Sequence, residues 1–100
     1  MLDNHNSEKP FSIARARVEP GVTTAWHRLS DIIEYYYILS GKGFMEIGEE
    51  EGFDVSRNDI VTIPANSAQR IQNTGEEDLI FLVICNPPFT DANYEDLENV

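Results

Sequence analysis

Residues 21–41 read GVTTAWHRLSDIIEYYYILSG, and their pattern decides the class of fold. The run IIEYYYIL at residues 32–39 is dense in β-branched and aromatic side chains, the composition of a strand. A period of two places Ile32, Glu34, Tyr36 and Ile38 on one face, with Ile33, Tyr35, Tyr37 and Leu39 on the other. Both faces are largely apolar, so this strand is expected to be covered on both sides, as in the inner layer of a sandwich or barrel. Glu34 is a carboxylate inside that apolar run, and such a charge needs a partner, a metal, solvent or a proton. Residues 22–28 follow the Pro20-Gly21 turn and read as a short strand carrying His27. His27 and Glu34 are therefore candidates to line one interior cavity. The second histidine, His5, lies in a polar leader with little to pack against.

Outward from this stretch the chain continues in short extended segments. Residues 11–18 alternate with a change of phase, which suits an edge strand or an arm laid across a second subunit. Further strands are expected at 44–47, 53–55, 60–63, 69–72 and 79–84, separated by turns rich in Gly, Asn, Asp and Pro. Residues 79–84 are apolar on both faces and so belong in the middle of a sheet. The acidic residues 91–97 are expected to form one helical turn on the surface. About eight short strands at even spacing, with no long helical stripe, predict an all-β barrel or double-sheet jelly roll. The division is a leader at 1–10, a barrel at 11–88 and an acidic tail at 89–100.

Composition bounds the function. One hundred residues make one domain with a modest core. A net charge of −11, from 18 acidic against 7 basic side chains, argues against nucleic acid and anionic membrane surfaces as partners. The single cysteine, Cys85, permits no intrachain disulfide and is expected as a buried thiol without a basic neighbour to activate it. The first twenty residues hold no apolar segment after a basic start, so no secretory signal is expected, and the longest apolar run falls far short of the ~20 residues that span a bilayer. A cytoplasmic location is the corresponding expectation.

With these residues in place, the chain resembles the cupin superfamily in its small single-domain form. The first cupin element runs glycine, histidine, histidine, glutamate, glycine at set intervals; here those positions are Gly21, His27, Leu29, Glu34 and Gly41. The second runs glycine, proline, glycine, histidine, asparagine; here it reads Asn58, Pro64, Asn66, Gln69 and Asn73. The resemblance covers residues 11–86 and implies a cupin double-stranded β-helix, or jelly-roll barrel. It also implies a homodimer that packs sheet against sheet. Asparagine at 58 and 66 stands where glycine is usual, and it tolerates positive φ better than any other residue with a side chain.

The departures bear on function. Metal-binding cupins hold an ion with three histidines and the glutamate, and this chain keeps only His27 and Glu34. Leu29 cannot ligate, and Gln69 offers a neutral carbonyl. The resemblance thus implies a reduced site of His27, Glu34 and Gln69 around one weakly held divalent ion, whether zinc, iron, manganese or nickel. The residues alone support a second reading, in which His27 and Glu34 hydrogen-bond across adjacent strands with Gln69 completing a metal-free polar network. In that setting Glu34 would act as general base, His27 as acid, and Tyr36 as pocket wall or hydroxyl donor. Either way the expected partner is a small-molecule ligand or substrate, sugar-like or carboxylated. The reactions open to such a cavity are isomerisation, lyase chemistry and oxygenation, and a non-catalytic ligand-binding module is the alternative.

Overall fold

The structure is a computed structural model that describes residues 10–98; His5 and most of the leader at 1–10 lie outside them. Nine strands follow in chain order: β1 Ser12–Val18, β2 His27–Leu29, β3 Ile33–Ser40, β4 Lys42–Ile47, β5 Phe53–Ser56, β6 Ile60–Ile63, β7 Gln69–Asn73, β8 Leu79–Asn86 and β9 Tyr94–Asp96. They form two antiparallel sheets, one in the order β1-β8-β3-β6 and the other β5-β4-β7-β2-β9. This is the jelly-roll arrangement expected from the strand spacing, with the inward positions of both sheets meeting in one core.

The period-two reading of β3 holds on its inner face. Ile32, Glu34, Tyr36 and Ile38 are all buried, while Tyr35, Tyr37 and Leu39 are half-buried and Ile33 is exposed. The expectation that both faces are covered is therefore corrected: among the described residues only one layer lies on this sheet. Two apolar clusters fill the interior. The larger includes Ile38, Met45, Ile71, Leu79 and Phe81, and the smaller joins Leu29, Ile32 and Cys85, with Val83 packed against both.

Several local features follow from single residues. Asn58 and Asn66 adopt φ of 75° and 68°, as their places in glycine-like turns predict, and Asp31 does likewise at 61°. Gly41 has φ of +92°, and a Cβ there would lie 2.7 Å from the carbonyl oxygen of Asp78, so only glycine fits between β3 and β4. Buried Asn73 ties three chain segments together. Its Nδ2 donates to the carbonyls of Val18 at 2.8 Å and Glu77 at 2.7 Å, and its Oδ1 accepts from the Gly75 amide at 2.8 Å.

Two other expectations are corrected. The strand read at 22–28 shrinks to three residues, because Thr23 makes only an isolated bridge to Gln72 and Thr24 turns its side chain to accept the Ile71 amide at 3.0 Å. The tail is more than a surface turn. A single 3-10 turn at Asp91–Asn93 leads into β9, which pairs with β2 through His27–Asp96, Arg28–Glu95 and Leu29–Tyr94. Within the segment at 11–18, β1 is an edge strand that pairs with β8 of its own chain from Ser12 to Val18.

Candidate functional site

The inward faces of the two sheets enclose a cavity of about 460 Å³, close to β1 and to the β2–β9 pair. Its wall is mostly apolar, with Ala14, Ala16, Leu29, Phe81, Val83 and Phe89 among the lining residues. Against this wall stand the polar residues singled out from sequence: His27, Glu34 and Tyr36 line the cavity, and Gln69 adjoins it through them.

Strand geometry accounts for each position. Glu34 and Tyr36 are two apart on β3 and point inward together. Gln69 opens β7 in the facing sheet, directly opposite His27 of β2 in register. Glu34 and His27 thus come from opposite sheets, since β3 neighbours β8 and β6 while β2 neighbours β7 and β9. This corrects the expectation of a hydrogen bond between them across adjacent strands.

Gln69 spans the gap instead. The Tyr36 hydroxyl donates to Gln69 Oε1 at 2.7 Å, and Gln69 Nε2 donates to Glu34 Oε1. The chain of donors is self-consistent: a phenol gives to an amide oxygen, and the amide nitrogen gives to a carboxylate. All three residues are at most 5 % exposed. His27 is held separately, with Nδ1 donating to the carbonyl of Ala25 at 2.7 Å and its ring stacked on Tyr94, centroids 5.2 Å apart.

The electrostatics follow from burial. Glu34 is held above the ordinary carboxylate range because desolvation outweighs the Gln69 hydrogen bond and the nearby His27, both of which oppose it. Burial also lifts the Tyr36 phenol well above its usual value, with Glu34 and Cys85 adding to the effect. The Cys85 thiol, opposite Glu34 in register, is pushed up to about 11 by burial first and by Glu34 second. It is the inert, buried sulfur expected from the sequence.

The donor set argues against a metal among these side chains as they are oriented. The carbonyl oxygen of Gln69, the atom that would ligate, accepts from Tyr36, and its nitrogen faces Glu34. Leu29 packs with Ile32 and Cys85. Among the described residues no buried side-chain nitrogen or oxygen lacks a partner, and no three His, Cys, Asp or Glu side chains gather as a metal would require.

Other side chains of the two sheets take structural places. Arg70 pairs with Glu46 at 2.6 Å and lies 4.8 Å over the Trp26 ring, and Arg28 pairs with Glu95 at 2.6 Å. Met45 is core, and Tyr37 donates to Asn58 Oδ1 at 3.1 Å on the outer face. Tyr94 is the cavity residue the sequence reading missed. It sits in an acidic tail, and nothing in its neighbourhood signals a three-residue strand or a ring laid on His27.

Comparison with known proteins places this geometry. Residues 14–85 match the family Cupin_2, the cupin domain. An uncharacterized protein of Methanocaldococcus jannaschii is 36% identical over 87 residues, covering 87% of this chain and 69% of its own length. An oxalate-binding protein of Thermotoga maritima is 33% identical over 82 residues, covering 80% of this chain and 64% of its own length. A structure of Bacillus subtilis oxalate decarboxylase, studied for its Mn(II) centres, superposes with a TM-score of 0.80 at 26% identity. That match covers 89% of this chain but only 24% of the decarboxylase.

Proposed function

Given that the chain belongs to the cupin domain family, we propose that its barrel is a small-molecule-binding site that works without a resident transition metal. The observation that carries this reading is the Gln69 bridge. By accepting from Tyr36 and donating to Glu34, Gln69 engages its own amide and the Tyr36 hydroxyl with protein atoms alone. What remains is a mostly apolar chamber of about 460 Å³, within the size range of sites for small organic ligands. The rival is the weakly held divalent ion at His27, Glu34 and Gln69, which the likeness to a manganese-containing decarboxylase supports.

Paramagnetic NMR separates the two. Titrating the full chain with Mn²⁺ is expected to leave the resonances of residues 27, 34 and 69 no more broadened than those of the acidic loop at 49–51. In the variant carrying Leu29→His and Gln69→His, the same titration is expected to bleach the cavity selectively. Selective bleaching in the native chain would defeat the metal-free reading.

A second reading is favoured by one observation, the raised pKa of Glu34 beside His27. In it the pair performs acid–base chemistry on the bound ligand, with Glu34 taking a proton and His27, when its ring carries both protons, giving one from Nε2, as in an isomerisation. Tyr36 has its hydroxyl committed to Gln69, so its part is to orient Gln69 and through it Glu34. Solvent deuterium exchange into a bound ligand, lost in Glu34→Gln, is the expected sign of that chemistry; exchange that survives the substitution counts against it.

The assembly proposed with this site is a homodimer on the outer face of the four-stranded sheet. Register places Ile13, Ile84 and Tyr35 in one outward row, and Arg15, Leu82, Tyr37 and Ile60 in the next. Ile13 and Ile60 are 56 % and 68 % exposed, an apolar face that water covers poorly.

A further inference from the structure

Two polar groups at the cavity wall, His27 and Glu34, present acceptors to a ligand. The carbonyl of Ala25 can only accept, so the hydrogen bond to it requires a proton on His27 Nδ1, and the neutral ring then keeps its lone pair on Nε2. Glu34, as a carboxylate receiving Gln69 Nε2, is an acceptor as well. Two donors are already spent: the Tyr36 hydroxyl on Gln69, and the Gln69 amide on Glu34. The hydroxyls of Ser12 and Thr24, which accept from the amides of Phe89 and Ile71, and the Tyr94 phenol on the same wall can also donate, but none of them is charged. Among the described residues Arg17 is the one Lys or Arg side chain at the cavity wall. It is 61 % exposed at the rim, where it faces Asp78 at 3.4 Å and Glu19 at 3.8 Å.

From this we infer that the cavity selects a mainly apolar ligand with a hydrogen-bond-donating head, neutral or cationic, and rejects small anions such as oxalate. The inference rests on the metal-free reading above and names the ligand class of the same site. A dianion brought beside Glu34 would meet a like charge in a desolvated setting, with no buried guanidinium or ammonium among the described residues to offset it. An amide, hydroxyl or ammonium head meets two acceptors, His27 Nε2 and the Glu34 carboxylate. Its apolar body lies against Leu29, Ala16, Phe81 and Val83. The Thermotoga relative is named for oxalate; the chemistry of this cavity points away from that ligand.

The test uses matched probes on the full chain: 4-ethylbenzamide, 4-ethylbenzoate and oxalate, followed by methyl NMR shifts of Ala14, Ala16, Leu29 and Val83. The amide and the carboxylate share one shape and differ in donor and charge. The benzamide is expected to bind at least about tenfold tighter than the benzoate, with oxalate giving no cavity shifts. Glu34→Gln keeps an acceptor for Gln69 and removes the charge, so the preference is expected to shrink to less than about threefold. Benzoate or oxalate binding as tightly as benzamide overturns the inference while leaving a binding cavity in place, and so does a preference unchanged by Glu34→Gln. If neither aromatic probe shifts the cavity methyls of the folded chain, the binding reading falls and this inference falls with it. The comparison of probes is made on the native chain, so it decides the matter even where the variant fails to fold.

Discussion

Replacing Tyr36 by phenylalanine removes one oxygen and tests the Gln69 bridge with little other disturbance. The ring keeps its place against Phe81, centroids 4.5 Å apart, so packing is almost untouched. What is lost is the donor to Gln69 Oε1, in a residue only 1 % exposed and therefore without water to replace it. An orphaned buried acceptor costs about 1–3 kcal/mol, against about 0.5–1.5 kcal/mol for an ordinary hydrogen bond that water can rescue. At roughly 4–8 °C per kcal/mol for a domain of this size, a loss of about 2 kcal/mol lowers Tm by about 10 °C. Urea unfolding followed by circular dichroism is the assay, and the midpoint is expected to fall with the slope m unchanged. In a Gln69→Met background the same change is expected to cost less than about 0.5 kcal/mol, because the acceptor is gone. A loss below about 0.5 kcal/mol in the native background would refute the argument, since Gln69 Oε1 would then have a different partner.

Further outcomes follow from neighbouring features. Glu34 holds its proton longer in the folded chain than in the unfolded one, so its ionisation removes stability as pH rises from 4.5 through the folded pKa. Glu34→Gln cannot ionise. Its stability advantage over the native chain is expected to be small at about pH 4 and larger at about pH 7, measured by urea midpoints; a gap constant with pH would contradict this. Asn73→Leu strips three hydrogen bonds that join β7 to the ends of β1 and the 74–78 loop, and is expected to cost about 3 kcal/mol or more by thermal unfolding. Cys85, with its thiol near 11 and buried, is expected to resist iodoacetamide at neutral pH in the folded chain and to react promptly in denaturant. Equal rates in both states would remove it from the interior. Ile60→Lys is expected to leave the fold intact and convert a dimer to a monomer by analytical ultracentrifugation. A native chain that already sediments as a monomer would discard that interface.

Much of this architecture was legible in residue order, and the reason is local. Ile32, Glu34, Tyr36 and Ile38 lie on one face because successive strand side chains alternate, and the left-handed turns at Asn58 and Asn66 follow from what asparagine tolerates. The inward place of Gln69 followed from its position in the second cupin element. What could not be read depends on contacts between distant segments. That Glu34 meets Gln69 and not His27 is decided by which sheet each strand joins, and no local pattern encodes that pairing. The same holds for Tyr94, brought onto His27 by a three-residue strand whose partner lies more than sixty residues earlier. The outer face of β3 misled for a related cause: apolar residues on both sides of a strand look alike whether a second layer or a second subunit covers them.

The central claim is that Gln69 closes the polar circuit of the cavity in place of an ion. A high-resolution crystal structure of the full chain grown in Mn²⁺, with anomalous data collected for manganese, tests it most directly. The account predicts no anomalous peak beside His27 and Glu34, and the Gln69 carbonyl oxygen within hydrogen-bonding distance of the Tyr36 hydroxyl. An anomalous peak there, with Gln69 Oε1 turned away from Tyr36 to coordinate it, would contradict the account.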